Sequence, residues 1–312
     1  MPTAFRRIVR ILTLILVLLP LAPGASRSIG AQDATPSDSP SPARGRFSDQ
    51  VDIGGRLLWL ECMGEGSPTV ILESGSPFMT NTDWYSVEAG IAEVTHVCAY
   101  DRANVGSSDP APKPRSVQQM AEDLDALLTA AGVPGPYVLA SYSFGPWVTR
   151  IYASQHPEQV AGLVFIDPEP VGLEARWQAV LPPELSARWI EDYWNGNPEG
   201  IDFAASATQL GAANPLPAVP FLVLAHTSGM GDYLIPDGWP IDVLDPIWQE
   251  LVAAQAQEVP GGRLIVAENA SHGMVFTTPD VVVDAVRQVV EAVRDPSSWV
   301  TSATPEGATP TP

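Results

Sequence analysis

Ser143 stands at the centre of Ser-Tyr-Ser-Phe-Gly (141–145), after the β-prone run Tyr137–Ala140 and ahead of a helix-forming stretch. A serine on a sharp strand-to-helix turn holds its hydroxyl clear of the backbone, and small flanking residues let strand and helix approach closely. Such a hydroxyl attacks carbonyl carbon, and the N–H of the next residue, Phe144, points at the oxyanion that forms. Ser141 takes the usual first glycine of G-x-S-x-G and is small enough to fit. The hydroxyl needs a neighbouring base near neutral pH, and the chain has four histidines. His96 enters an apolar strand. His156 precedes Pro157 at a helix end, where a capping role is expected. His226 closes a strand in His-Thr-Ser-Gly and follows no known pattern. His272 follows the run Arg263–Ala267 in a short polar loop ending at Gly273, which makes it the candidate base. The third requirement is a buried carboxylate that orients the imidazole and stabilises its cation. Asp167 ends the run Gly162–Ile166, and Asp232 follows Phe221–Ala225 with Asp237, Asp242 and Asp245 nearby. The residues alone leave this choice open.

Apolar runs alternating with amphipathic stretches must position these groups, the pattern of βαβ units in an α/β fold with a mostly parallel sheet. The expected strands are Leu57–Met63, Thr69–Glu73, His96–Tyr100, Tyr137–Ser141, Gly162–Ile166, Phe221–Ala225 and Arg263–Ala267. Helical spacing marks Val117–Ala131, ending at Gly132, then Trp147–Gln155 and Pro279–Arg294, where Pro279 suits a first turn. Residues 168–219 break the alternation with Trp, Pro and Ala. They read as a small helical lid over the C-terminal edge of the sheet, where open α/β sheets hold their sites.

Several segments together resemble the α/β-hydrolase family over residues 50–295. Thr69–Pro77 (TVILESGSP) resembles its third strand and oxyanion loop, with Ser74-Gly75 in place of His-Gly. Tyr100–Ser108 (YDRANVGSS) resembles its D-R-x-G-x-G-x-S segment, with Asn104 for the first glycine. Tyr152–Asp167 resembles the helix and strand after the elbow, and Ala267–Gly273 (AENASHG) the loop that carries the catalytic histidine. In that family the acid follows either of two adjacent strands. The likeness of Gly162–Pro168 to relatives with the earlier acid selects Asp167, giving a triad of Ser143, His272 and Asp167. The resemblance also implies backbone oxyanion donors at Ser76 and Phe144, and puts Cys62 and Cys98 on neighbouring strands as a disulfide. Trp84 is expected in the pocket or the core, and Arg102 in structural contacts. Trp177, Trp189, Tyr193 and Trp194 either roof an apolar pocket or form the core of the lid.

The chain has 16 Lys+Arg against 36 Asp+Glu, net −20, with 45% hydrophobic residues. Enough apolar residues exist for a sizeable core, and so negative a surface repels phosphate backbones and anionic lipid. Arg6, Arg7 and Arg10 precede a short apolar run, Ile11–Ala22, and small residues follow it, so residues 1–31 read as an export signal. The expected layout is signal 1–31, Pro/Ser linker 32–49, one α/β-hydrolase domain over 50–296 with its lid at about 168–219, and a solvated tail 297–312. Export provides the oxidising compartment a disulfide requires. No stable membrane insertion after signal removal, metal site or cofactor is expected. The expectation is thus an exported, cofactor-free serine hydrolase acting on a small ester or amide. A serine aminopeptidase of the same fold, with Glu169, Glu174, Glu184 or Glu191 holding an amino terminus, and a non-catalytic binding protein are the rivals.

Overall fold

The computed structural model describes residues 46–76, 79–227 and 239–299, with Trp194 described in its backbone only. The expected signal, most of the linker and the tail from residue 300 lie outside the described residues, as do Asp232 and Asp237. Among the described residues eight strands form one sheet: β1 (Phe47–Asp52), β2 (Leu57–Met63), β3 (Thr69–Glu73), β4 (Val97–Tyr100), β5 (Tyr137–Tyr142), β6 (Val160–Ile166), β7 (Phe221–His226) and β8 (Arg263–Ala267). Their spatial order is β1-β2-β4-β3-β5-β6-β7-β8. The pairs β1/β2 and β2/β4 are antiparallel and the rest parallel.

Among the described residues nine α-helices join them: α1 (Tyr85–Ala92), α2 (Val117–Ala131), α3 (Gly145–Gln155), α4 (Leu173–Gln178), α5 (Pro183–Trp189), α6 (Phe203–Ala212), α7 (Ile241–Gln255), α8 (Met274–Thr277) and α9 (Pro279–Arg294). The central strands are buried on both faces, as a covered parallel sheet demands. Successive side chains alternate between two cores. Tyr137, Leu139, Phe221, Val223 and Ala225 face a core shared with α2, α3, the lid helices and α7. Val138, Ala140, Leu222 and Leu224 face the core closed by α1 and α9. Local signals set the helix ends: Ser116 and Gln119 form a reciprocal capping box on α2, and Gly132 closes it at φ +63°. The expected lid, 168–219, contains α4, α5, a wider helical turn at Ile190–Asn195, and α6.

Both domain edges differ from the expected ones. β1 starts at Phe47, inside the stretch read as linker to residue 49. As an edge strand it has one partner, so backbone pairing to β2 suffices where an alternating apolar pattern is missing. At the other end, Trp299 accepts the Arg263 guanidinium on its ring face at 3.8 Å and donates from Nε1 to the Gly261 carbonyl, so order extends past residue 296. Cys62 and Cys98 are direct register partners on β2 and β4 and are joined as a disulfide.

Candidate active site

The turn at Ser143 is built by strand, helix and neighbouring strand together. β5 delivers the chain to Ser143, whose φ of +56° lies in the left-handed region that non-glycine residues enter at a cost. The Ser143 N–H donates to the Ile166 carbonyl at 3.0 Å, and the Ser143 carbonyl accepts from the Glu169 N–H at 2.6 Å, which pins the turn to the end of β6. Gly145 is required by space, since a Cβ there would lie 2.6 Å from the Glu73 carbonyl oxygen. Ser141 fits where glycine is usual because its hydroxyl meets that of Thr149 on α3 at 3.0 Å.

The three expected site residues come together from three elements. His272 Nε2 is 3.1 Å from Ser143 Oγ, and His272 Nδ1 is 2.5 Å from Asp167 Oδ2. All three are buried. Asp167 follows β6, where its N–H donates to the Leu224 carbonyl at 2.7 Å. The loop carrying His272 is tied to β7 by the Thr227 N–H donating to the Ala270 carbonyl, and the Tyr142 hydroxyl donates to the His272 carbonyl at 2.8 Å. The His272 ring also lies against Tyr142 and edge-on to Trp248. Burial opposes charge on Asp167. Hydrogen bonds from His226 and His272 outweigh it and hold the carboxyl well below the usual carboxylate range.

Sequence reasoning missed His226. Its Nδ1 also meets Asp167 Oδ2, at 2.7 Å, and its Nε2 meets Asp245 Oδ1 at 2.7 Å. The only hint in the sequence is its place at the end of β7, next to the strand that carries Asp167. Asp245, weighed only as a rival acid, lies on α7, which sequence spacing did not reveal. The other two histidines lie elsewhere: His96 is buried beside Thr69, and His156 caps the end of α3. Asp167, His226 and His272 are residue types that ligate metals, and their donor atoms lie within 4.8 Å of one another. Each of those atoms already belongs to a short hydrogen bond, which a metal would have to displace.

The loop after β3 packs on the Ser143 turn, where a Cβ at Gly75 would lie 3.1 Å from Ser143 Cβ. Arg102 grips this loop from behind. Its Nη1 donates to the Ser74 carbonyl at 2.6 Å and to Glu73 Oε1 at 2.6 Å, and its Nη2 to the Gly75 carbonyl at 2.7 Å. In a trans peptide the N–H points opposite to the C=O, so the Ser76 N–H is turned away from Arg102. Arg102 therefore has the structural contacts expected of it. Trp84 belongs to the core, fully buried, with Nε1 donating to Ser74 Oγ.

The lid aromatics are packed on one another and on the site. Ring contacts run from Phe144 through Phe203, Tyr193, Trp189 and Trp177 to Trp248 beside His272. Of the four acids considered in the lid, Glu169 is buried and accepts from the Tyr193 hydroxyl at 2.8 Å; burial pushes its carboxyl up to about 7.

Among the described residues no helix is long and apolar enough to cross a membrane. Residues 70–285 match the model of the alpha/beta hydrolase family. The uncharacterized protein YqjL of Bacillus subtilis is 31% identical over 105 residues, 34% of this chain and 41% of its own. An AB hydrolase superfamily protein of Gibberella zeae is 31% identical over 104 residues, 32% of each chain. The chain thus spans less than half the length of these curated relatives. Among solved structures, a thermophilic esterase from Thermogutta terrifontis superposes with a TM-score of 0.56 at 20% identity, over 80% of this chain and 99% of that one. The enol-lactonase from Burkholderia xenovorans gives 0.56 at 18% identity, over 78% and 100%. At these identities the likeness speaks to the fold. The family match covers well over half of the residues, and the sheet order and strand-turn-helix at Ser143 agree with it: the chain belongs to the alpha/beta hydrolase family.

Proposed function

We propose that the protein is an exported serine hydrolase that cleaves carboxylic esters through an acyl-enzyme. The observation that carries this reading is the continuous chain from Ser143 Oγ through His272 to Asp167, at 3.1 and 2.5 Å. Ser143 attacks the ester carbonyl while His272 Nε2 takes its proton. Asp167 holds the imidazole in the tautomer that bears a proton on Nδ1 and stabilises the cation that forms. The backbone N–H groups of Ser76 and Phe144 donate to the tetrahedral oxyanion. His272 then gives its proton to the leaving alcohol, and water attacks the acyl group by the reverse path.

The esterase and lactonase among the structural neighbours support a carboxylic ester as substrate class. The basic-then-apolar N-terminus and the Cys62–Cys98 disulfide support export to an oxidising compartment. A panel of short-chain aryl esters and aminoacyl amides, run beside a fluorophosphonate label, tests the reading. Ester turnover with the label on Ser143 is the expected result. Turnover of amides alone would favour the aminopeptidase, and an inert, unlabelled protein would leave only a binding role.

A further inference from the structure

The ring of His226 is held between two carboxylates. Nδ1 faces Asp167 Oδ2 and Nε2 faces Asp245 Oδ1, each at 2.7 Å, and the His226 main-chain N–H adds a longer contact of 3.3 Å to Asp167 Oδ1. A neutral imidazole has one N–H and would turn a lone pair toward one of those oxygens, whereas an imidazolium donates to both. The ring is buried, so water does not stand in for either partner. Asp245 is itself fixed one turn along α7, where Gln249 Nε2 donates to its Oδ2 at 3.0 Å. Among the described residues, the charged and titratable groups facing this unit come from three elements: Asp167 from the end of β6, His272 across Asp167 from the loop after β8, and Asp245 from α7.

We propose that His226 is a positioning residue acting through Asp167, an imidazolium clamped between Asp167 and Asp245 that fixes the carboxylate toward His272 and extends activity into more acid solution. The proposal rests on Ser143, His272 and Asp167 being the triad. Its geometric core is that both imidazoles bond one oxygen, Asp167 Oδ2, from two sides. Two donors on one oxygen, with a main-chain N–H near the other, stop the carboxylate from rotating. The electrostatic part follows from the same placement. A cation on the far side of Asp167 offsets part of the carboxylate's negative charge, so the catalytic unit carries less net charge and activity reaches further into acid solution. Burial works against the charge on His226, but the hydrogen bonds and charges of Asp167 and Asp245 outweigh it and raise the group to about 9.

The test compares the wild type with His226→Gln. For each, kcat/KM on p-nitrophenyl acetate is measured from pH 4.5 to 9, with the rate of fluorophosphonate labelling at Ser143 over the same range. The acid limb of both profiles is expected to move up by about one pH unit in the variant, the scale of losing one charge near another at a partly screened site. An unmoved limb, with turnover and labelling intact, would overturn the proposal and leave the triad standing. A wild type that neither turns over nor labels would sink the triad reading, and the proposal with it. Because the variant can fail to fold, a second measurement uses the wild type alone. With 15N-labelled histidine, the His226 ring is expected to carry protons on both nitrogens at pH 7.5, and a neutral ring there overturns the proposal whatever the variant does.

Discussion

Glu199, in the lid, takes two hydrogen bonds from Arg102, one from Nε and one from Nη2, each at 2.9 Å. The same guanidinium holds the carbonyls of the loop that packs on Ser143, so one cation ties residue 199 and the loop after β3 together. Both ends of this bridge are buried. Burial opposes the charge on Arg102, and the carboxylates of Glu199 and Glu73 more than restore it. Arg102→Ala therefore leaves two buried acids without their cation. It should cost about 3–5 kcal/mol of stability, read by urea unfolding. Arg102→Lys should recover only part, because a single ammonium cannot reproduce the planar fork.

Ser143→Ala and His272→Ala should each lower turnover of an aryl ester by about 10³-fold or more while leaving the circular dichroism spectrum unchanged. Retained activity in both would remove these residues from the mechanism.

Asp167→Asn should lower turnover by about 10⁴-fold, because an amide favours the wrong tautomer of His272. Asp232→Asn serves as the paired control and should leave turnover near wild type. The opposite pattern would move the acid to Asp232 and keep Ser143 and His272 in place.

Glu88 on α1 is buried, and burial pushes its carboxyl up to about 8, with Glu61 adding to the rise. The folded chain keeps this proton up to about pH 8, whereas the unfolded chain releases it near 4.5. Between those values the unfolded form binds fewer protons, so stability falls as pH rises through the window. His226 acts in the same direction at higher pH, since its stabilising charge is lost as pH rises through about 9. Glu88→Gln should thus raise stability at pH 8 by on the order of 2 kcal/mol and leave it nearly unchanged at pH 4.5. Thermal midpoints of the two proteins across that range are the check.

Cys62 and Cys98 are 36 residues apart. Closing a loop of that length stabilises by about 3–4 kcal/mol in chain-entropy terms. Reduction should lower the denaturation midpoint accordingly, and thiol alkylation of the unreduced protein should find no free cysteine.

Strong local periodicity made β2, β3, β8, α2 and α9 legible, because burial on a regular element repeats its pattern within a few residues. Three other elements lacked that repeat. β1 is an edge strand with mostly exposed polar side chains. α1 carries a buried acid, and Gly90 stands where a Cβ would press on Val283 of α9 at 2.8 Å, so close packing took the place of an apolar stripe. α7 contains Pro246, which ordinarily argues against a helix interior. Ser143 and His272 were legible because a tight turn and a short polar loop are local features. His226 was not, since its partners Asp167 and Asp245 lie 59 and 19 residues away and meet it only once β6, β7 and α7 are in place.

The meeting of β6 and β7 bears on where a carboxylate can stand. With Asp167 N–H bonded to the Leu224 carbonyl, the ends of the two strands arrive side by side, and Asp167, just past β6, meets the ring of His226, the last residue of β7. The two strand ends therefore open on one small space, which residues far apart in the chain face together. Position 167 has a φ of +40°, a region that Asp, Asn and His enter more readily than most residues. What the two strands share is thus a place rather than a stretch of sequence, and two distant segments supply it jointly.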